Sequence, residues 1–174
     1  MILTPYAEME FFARILVAAL CGAFIGYERN NRLKEAGIRT HLIVALAAAL
    51  IMVVSKYGFG DVTTHPGIAL DPSRIAAQIV TGVGFLGAGM IFVRNQNISG
   101  LTTAAGVWAT AGIGMAVGAG LYFLGIGVSL LIIAAQMMLH RNFAWLHFPM
   151  TEQISLEMDT VGGGGSSIRE KLLS

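Results

Sequence analysis

The sequence predicts an all-α polytopic membrane protein with about five transmembrane helices, an N-out/C-in orientation and a short cytoplasmic βα tail. Three observations carry that prediction. Of the 174 residues 55% are hydrophobic and only 12% are charged, about half the charge of a soluble domain. The mean hydropathy is +0.71. The charges are also segregated. After Arg94 no Asp, Glu, Lys or Arg occurs until Arg141, a run of 46 uncharged residues that has room for two crossings of about 20 residues each. Soluble, disordered, fibrous and disulfide-scaffold classes are excluded. Cys21 is the only cysteine, so neither an intramolecular disulfide nor a cysteine metal cluster can form.

The apolar-length criterion places helices at about 11–27, 40–57, 73–93, 101–117 and 119–139, with ends uncertain by ~3 residues. The first is interrupted by Arg14, near enough to one end for its stem to reach the headgroups, and Glu10 sits four residues earlier on the same face. It has no basic leader or A-x-A cleavage site and reads as a retained helix. The third opens on Asp71 as N-cap and Pro72 at the first helical position. Gly118, Ala119 and Gly120 split the last apolar run by a tight turn; without that split the count would be four. Arg29, Arg32, Lys34 and Arg39 fill the first loop and Arg94 the third, and Arg141 opens the tail, while the second loop has only Asp61 and Asp71. The basic sides are cytoplasmic by the positive-inside rule, which puts Glu8 and Glu10 outside.

The chain changes character over residues 141–174. Phe143, Trp145 and Phe148, beside His140 and Arg141, form an interfacial anchor. Ile154, Leu156 and Met158 alternate with polar residues as in a strand. A four-glycine run follows at 162–165, and Ser167 with Glu170 then starts a short helix. One strand and one helix bury no core alone. The tail is therefore an unfinished βα unit or a segment that pairs with another copy, and the glycines serve equally as a flexible linker.

Several patterns bear on chemistry. Gly82, Gly84 and Gly87 match the dinucleotide G-x-G-x-x-G, but they sit at membrane depth and the next acid after Asp71 is Glu152, so nucleotide binding is rejected. The glycines of two other helices fit packing. Gly22 and Gly26 form a GxxxG with Ala18, and Thr102, Gly106, Thr110, Gly114 and Gly118 recur every fourth residue. Such rows let helix backbones approach closely, either within a bundle or across a homodimer seam. Asp71, Arg74 and Gln78 share a face near the outer end of the third helix. With Glu10 and Arg14 they make a five-residue outer polar cluster, or else simply an N-cap and a snorkelling arginine. Asp71 is the one metal candidate and would hold a hydrated Mg²⁺ only weakly, against the nearby arginines. At the inner surface Glu28, Arg29 and Arg39 serve orientation and anionic-lipid contact. The four histidines show no ligand spacing, and no basic-aromatic patch suggests nucleic acid. No hydrolase constellation is present, and the chain reads as a non-enzyme without a resident cofactor.

The stretches Gly26-Tyr27-Glu28-Arg29, Ala36-Gly37-Ile38-Arg39-Thr40-His41, the block from Asp71 to Gly89, and Gly100-Leu101-Thr102-Thr103-Ala104-Ala105 with Trp108 resemble the MgtC/SapB family of bacterial inner-membrane proteins, over about residues 15–135. The resemblance implies a five-helix membrane domain, here residues 1–140, followed by an ACT-like cytoplasmic domain, for which 141–174 leaves room only for an incomplete version. It further implies a role in survival at low magnesium, in acid or inside host cells, and hence in virulence. Members have been labelled Mg²⁺ transporters, and others regulators of membrane partners that include the F-type ATP synthase. By position it carries over Glu28, Arg29, Arg39, Asp71, Arg74 and Gln78, and more weakly Asn95 and Thr102. Three readings follow: a protein acting by helix–helix association with itself or a membrane partner, a divalent-cation transporter with its mouth at Asp71, Arg74 and Gln78, and a lipid-binding scaffold anchored by the basic first loop at Arg32 and Lys34.

Overall fold

A computed structural model describes residues 4–32, 34–61, 65, 69–94 and 97–140. The expected βα tail and the candidate Asn95 lie outside the described residues.

Five helices form: α1 Pro5–Asn30, α2 Ile38–Tyr57, α3 Ser73–Gly89, α4 Leu101–Gly118 and α5 Tyr122–His140. The chain is an all-α membrane protein. Helix α1 runs beyond the expected 11–27 at both ends. Its polar ends are helical too, since Pro5 occupies the first turn and the i,i+4 ion pairs Glu10–Arg14 and Glu28–Arg32 sit at its two ends. An apolar-length criterion cannot see such turns.

Helix α3 is shorter than expected. It ends at Gly89, and the apolar residues that followed it in the sequence reading enter a hairpin, β1 Phe92–Arg94 against β2 Asn97–Ser99, in register Phe92↔Ser99, Val93↔Ile98 and Arg94↔Asn97. Phe, Val and Ile suit a strand as well as a helix, and the return of the chain decides between them. Gly100 makes that return possible. Its φ of +85° is left-handed, and a β-carbon there would overlap the Met90 carbonyl. The start of α3 is also displaced by one residue. Pro72 takes the N-cap position, and Asp71 acts from just outside it, accepting the Ser73 N–H at 2.9 Å and the Ser73 hydroxyl at 2.6 Å.

Large side chains face outward and small ones inward. Phe12, Leu16, Leu20 and Phe24 of α1 are exposed, as is Phe123 of α5, whereas Ala18, Ala45 and Ala49 are fully enclosed. That inversion of a soluble core is what lipid favours, because the bilayer rewards close backbone approach instead of leucine burial. Helices α1, α2 and α4 are long and apolar enough to cross a membrane, and the apolar stretch Tyr122–Met138 of α5 is slightly shorter. The 17 residues of α3 reach about 26 Å at the helical rise.

Helix α4 packs on all four other helices and is the centre of the bundle. One core cluster, Ala18, Cys21, Ile25, Ala49, Ile113 and Val117, joins α1, α2 and α4. A second, which includes Ala48, Ile79, Val83, Val107 and Ala111, joins α2, α3 and α4.

The packing glycines are occupied inside the chain. A β-carbon on Gly22 would overlap the His41 carbonyl and lie 2.8 Å from the Ala45 methyl. One on Gly26 would lie 2.6 Å from the Ile38 α-carbon, and Gly114 and Gly118 are pressed in the same way against the Ala45 and Ala49 carbonyls. Gly106 abuts Arg29 and His41. Of the two uses that the glycine rows left open, these five residues therefore serve the bundle itself. Gly22→Ala should cost about 1–3 kcal/mol, read as denaturant unfolding in micelles. Gly127→Ala, at a position with open space around it, should instead be neutral or stabilise by up to about 1 kcal/mol.

Candidate functional site: two polar clusters at opposite ends of the bundle

Arg14 and Arg29 are fifteen residues apart on α1, hence about 22 Å along its axis. Each is buried and anchors a polar cluster.

At the first end, Arg14 is 8% exposed. Its guanidinium pairs with Glu10 and donates to the Tyr57 hydroxyl at 3.1 Å and to the Gly118 carbonyl at 3.3 Å. Phe11 and Tyr57 stack at 4.6 Å, and both rings lie 5.4 Å from the guanidinium carbon. Lys56 donates to the Ala119 carbonyl at 2.9 Å. Two cations thus cap the C-terminus of α4, where unpaired carbonyls and the helix dipole favour positive charge. Nearby, the buried Ser55 hydroxyl donates to the Pro72 carbonyl and accepts the Ala76 N–H at 3.2 Å, which fixes the start of α3 against the end of α2.

The expected five-residue outer cluster is divided by this geometry. Glu10 and Arg14 turn to Tyr57 and Gly118, whereas Asp71 is exposed and engaged by Ser73. Arg74 is exposed beside it, and Gln78 lines an apolar groove of about 380 Å³ between α2 and α3. Among the described residues no three His, Cys, Asp or Glu side chains gather as a metal site.

At the second end, the Glu28 carboxylate pairs with Arg32 and accepts from the Gln136 amide nitrogen, in the amide orientation that satisfies both neighbours. The Gln136 oxygen then accepts from Arg29 Nη2 at 3.2 Å. The same Nη2 donates to the Thr102 carbonyl at 3.3 Å. Thr102 contributes its backbone, and its own side chain is exposed; the buried hydroxyl belongs to Thr103, which donates to Glu35 at 2.8 Å. The Glu35 carboxyl is held below the usual range by its own backbone N–H first, then by Thr103 and Lys34. Arg39 is exposed at the start of α2.

His41 is the most enclosed polar group of this cluster. It is 1% exposed, and its Nδ1 lies 2.8 Å from Thr110 Oγ. Thr110 commits its hydroxyl proton to the Gly106 carbonyl at 2.8 Å. Nδ1 is thereby paired with Thr110, and Nε2 is buried without a well-formed hydrogen bond among the described residues. Such an orphan is costly and so specific to its setting.

The sequence reading missed His41, Thr110, Gln136, Glu35, Thr103 and Tyr57 as members of these two polar clusters. Thr110 lay in the four-residue small row, and Gln136 was the only amide in an otherwise apolar helix, a signal of an inward-facing polar group. Nothing local marks Tyr57 or Glu35.

Thr110→Val should leave both ring nitrogens of His41 unpartnered and destabilise the protein by about 1–3 kcal/mol, measured by thermal unfolding in micelles. Asp71 lies below its ordinary value of 3.8, first through the Ser73 hydroxyl, then the Ser73 N–H and the Arg74 charge. A depressed carboxyl retains its contribution above the ordinary value and loses it as pH falls through the lowered one. The protection of the Ser73 amide against exchange, taken relative to its intrinsic rate at each pH, should accordingly hold through the ordinary carboxylate range and be lost only in stronger acid.

The MgtC family model matches residues 15–144. Over 160 residues the chain is 51% identical to YhiD of Escherichia coli K12, described as a candidate magnesium transporter, covering 91% of this chain and 73% of that protein. It is 41% identical over 141 residues to the protein MgtC of Salmonella typhimurium 14028s, covering 81% of this chain and 55% of that one. It is also 39% identical over 123 residues to SapB of Bacillus subtilis 168, covering 70% and 53%. The chain thus spans about half the length of MgtC and SapB. No solved structure matches it.

Proposed function

The chain belongs to the MgtC family, and from that premise we propose that it is a non-enzymatic, multi-pass protein of the bacterial inner membrane. It supports growth under magnesium limitation or acid and host stress through helix–helix association, with a second copy or with a membrane complex such as the F-type ATP synthase. Its N-terminus faces outward, so the Arg14 cluster is external and the Arg29 cluster cytoplasmic.

One observation carries the association reading over transport. Helices α1, α2 and α4 meet backbone to backbone at Gly22, Gly114 and Gly118, so among the described residues the space between the two clusters is filled by closely packed, mostly small apolar groups. The contact surface cannot be the α4 row, which is already in use. We assign it to the side of α3 that carries Gly82 and Gly89, seven residues apart, where nothing lies within 4 Å of a built β-carbon. A glycine inside a helix costs about 1 kcal/mol against alanine, and two open ones on one side of a short helix suit a close approach by another helix.

The second reading, a Mg²⁺ transporter entered at Asp71, Arg74 and Gln78, is favoured by the description of the Escherichia coli relative. Both are tested with purified protein in liposomes and in a strain lacking the gene. On the association reading, vesicles show no Mg²⁺ flux. Gly82→Leu with Gly89→Leu reduces the oligomer to monomer and abolishes growth at low magnesium, while Asp71→Asn grows normally. Flux that disappears with Asp71→Asn overturns this reading in favour of transport.

A further inference from the structure

A groove runs along the outside of α1 and α5 in two connected parts. The part nearer the Arg29 end has about 570 Å³ and is lined by Phe24, Tyr27, Glu28, Asn31, Arg32, Ile133 and Met137. The next, of about 420 Å³, continues past Leu20, Cys21, Ile126 and Leu130. Phe24 and Ile133 line both, so the two are one trough. Ser129 sits in its floor but donates its hydroxyl to the Gly125 carbonyl at 2.7 Å, and the lower wall is therefore apolar throughout.

We propose that this trough is a binding site for one anionic phospholipid, with the phosphate at Arg32 and Asn31 and an acyl chain along Phe24, Leu20 and Ile126. Length, charge and wall shape support it. From Arg32 to Val17 the trough follows fifteen residues of α1, about 22 Å, and one leaflet with its headgroups is half of about 40–45 Å. Its polar end carries charge of the right sign. The Glu28 carboxylate is already engaged by Arg32 and Gln136, and two guanidinium groups, Arg29 and Arg32, stand against that single carboxylate. Arg29 is turned inward to Thr102 and buried, while Arg32 keeps part of its fork toward the trough. The walls are flexible or bulky side chains, suited to a mobile hydrocarbon chain. A partner helix would need small residues here to approach, and those lie on the opposite faces of α1.

The groove does not depend on the association surface assigned to α3, and its test is separate. The whole protein is reconstituted in nanodiscs of phosphatidylethanolamine with a minor share of phosphatidylglycerol, extracted gently and weighed by native mass spectrometry. One retained phosphatidylglycerol per chain is expected. Arg32→Gln keeps a donor for Glu28 but removes the charge, and should lower retention by about tenfold. Arg39→Gln removes a charge from the same end outside the trough, and should lower it by less than about twofold. Leu20→Trp, which fills the apolar wall, should displace lipid of either headgroup while leaving the melting temperature and oligomer size intact. Equal losses from Arg32→Gln and Arg39→Gln would reduce the effect to diffuse surface charge and overturn the proposal. So would retention without headgroup preference, or a Leu20→Trp variant that loses its oligomer and keeps its lipid.

Discussion

The contact of one helix backbone with another, without side chains between, is the constraint on which the rest of this structure depends. Gly22 rests on the His41 carbonyl, and Gly114 and Gly118 rest on the carbonyls of Ala45 and Ala49. In water a bundle gains stability by burying leucines; in lipid that gain is absent, and dispersion between closely fitted surfaces has to replace it. The position of His41 follows from the same contact. Because α1 and α4 both press on the first turns of α2, the imidazole has only the small space beside Gly106 and the Thr110 hydroxyl to occupy. The ring is thereby held in one orientation and sealed from solvent.

Charge is arranged to match. The two buried arginines stand at opposite ends of α1 and each is tied to a backbone carbonyl of α4; Arg14 pairs with Glu10 one turn away, whereas Arg29 is linked to the Glu28 carboxylate through the Gln136 amide. An isolated buried guanidinium would be strongly unfavourable; pairing plus carbonyl acceptors makes it tolerable and directional. Each therefore also aligns α1 with α4 along the axis, which apolar packing of similar small residues does only weakly. The bundle is closely packed in the middle and defined at its ends.

Much of this was legible in the sequence, and the reasons are specific. The five helices emerged from apolar runs, and the turn at Gly118–Gly120 from its glycines, because length and backbone freedom are local properties. The Glu10–Arg14 pair emerged from i,i+4 spacing for the same reason. The hairpin at 92–99 did not, since an apolar Ile91-Phe92-Val93 continues a helix equally well until the return of the chain is known. Nor did the division of the outer cluster. A shared level in the membrane places Arg14 and Asp71 at one end, but which helix neighbours which is a three-dimensional fact, and Tyr57, the actual partner of Arg14, carries no sequence mark. The family resemblance supplied Glu28 and Arg29 as positions of interest and left their partner Gln136, more than a hundred residues away, to the structure.

The double hydrogen bond of Ser55 bears on how the chain tolerates change. With one hydroxyl giving to the Pro72 carbonyl and receiving from the Ala76 N–H, the register between the end of α2 and the start of α3 is set by the helices and not by the chain that joins them. The connection from Gly58 to Asp71 is relieved of that duty. Loop closure becomes only slowly more demanding with length, by about 0.6 kcal/mol for each doubling. Loss of the Ser55 hydroxyl would accordingly hand that register back to the connecting segment, and the meeting of α2 with α3 would then depend on a loop that has no such fixed reach.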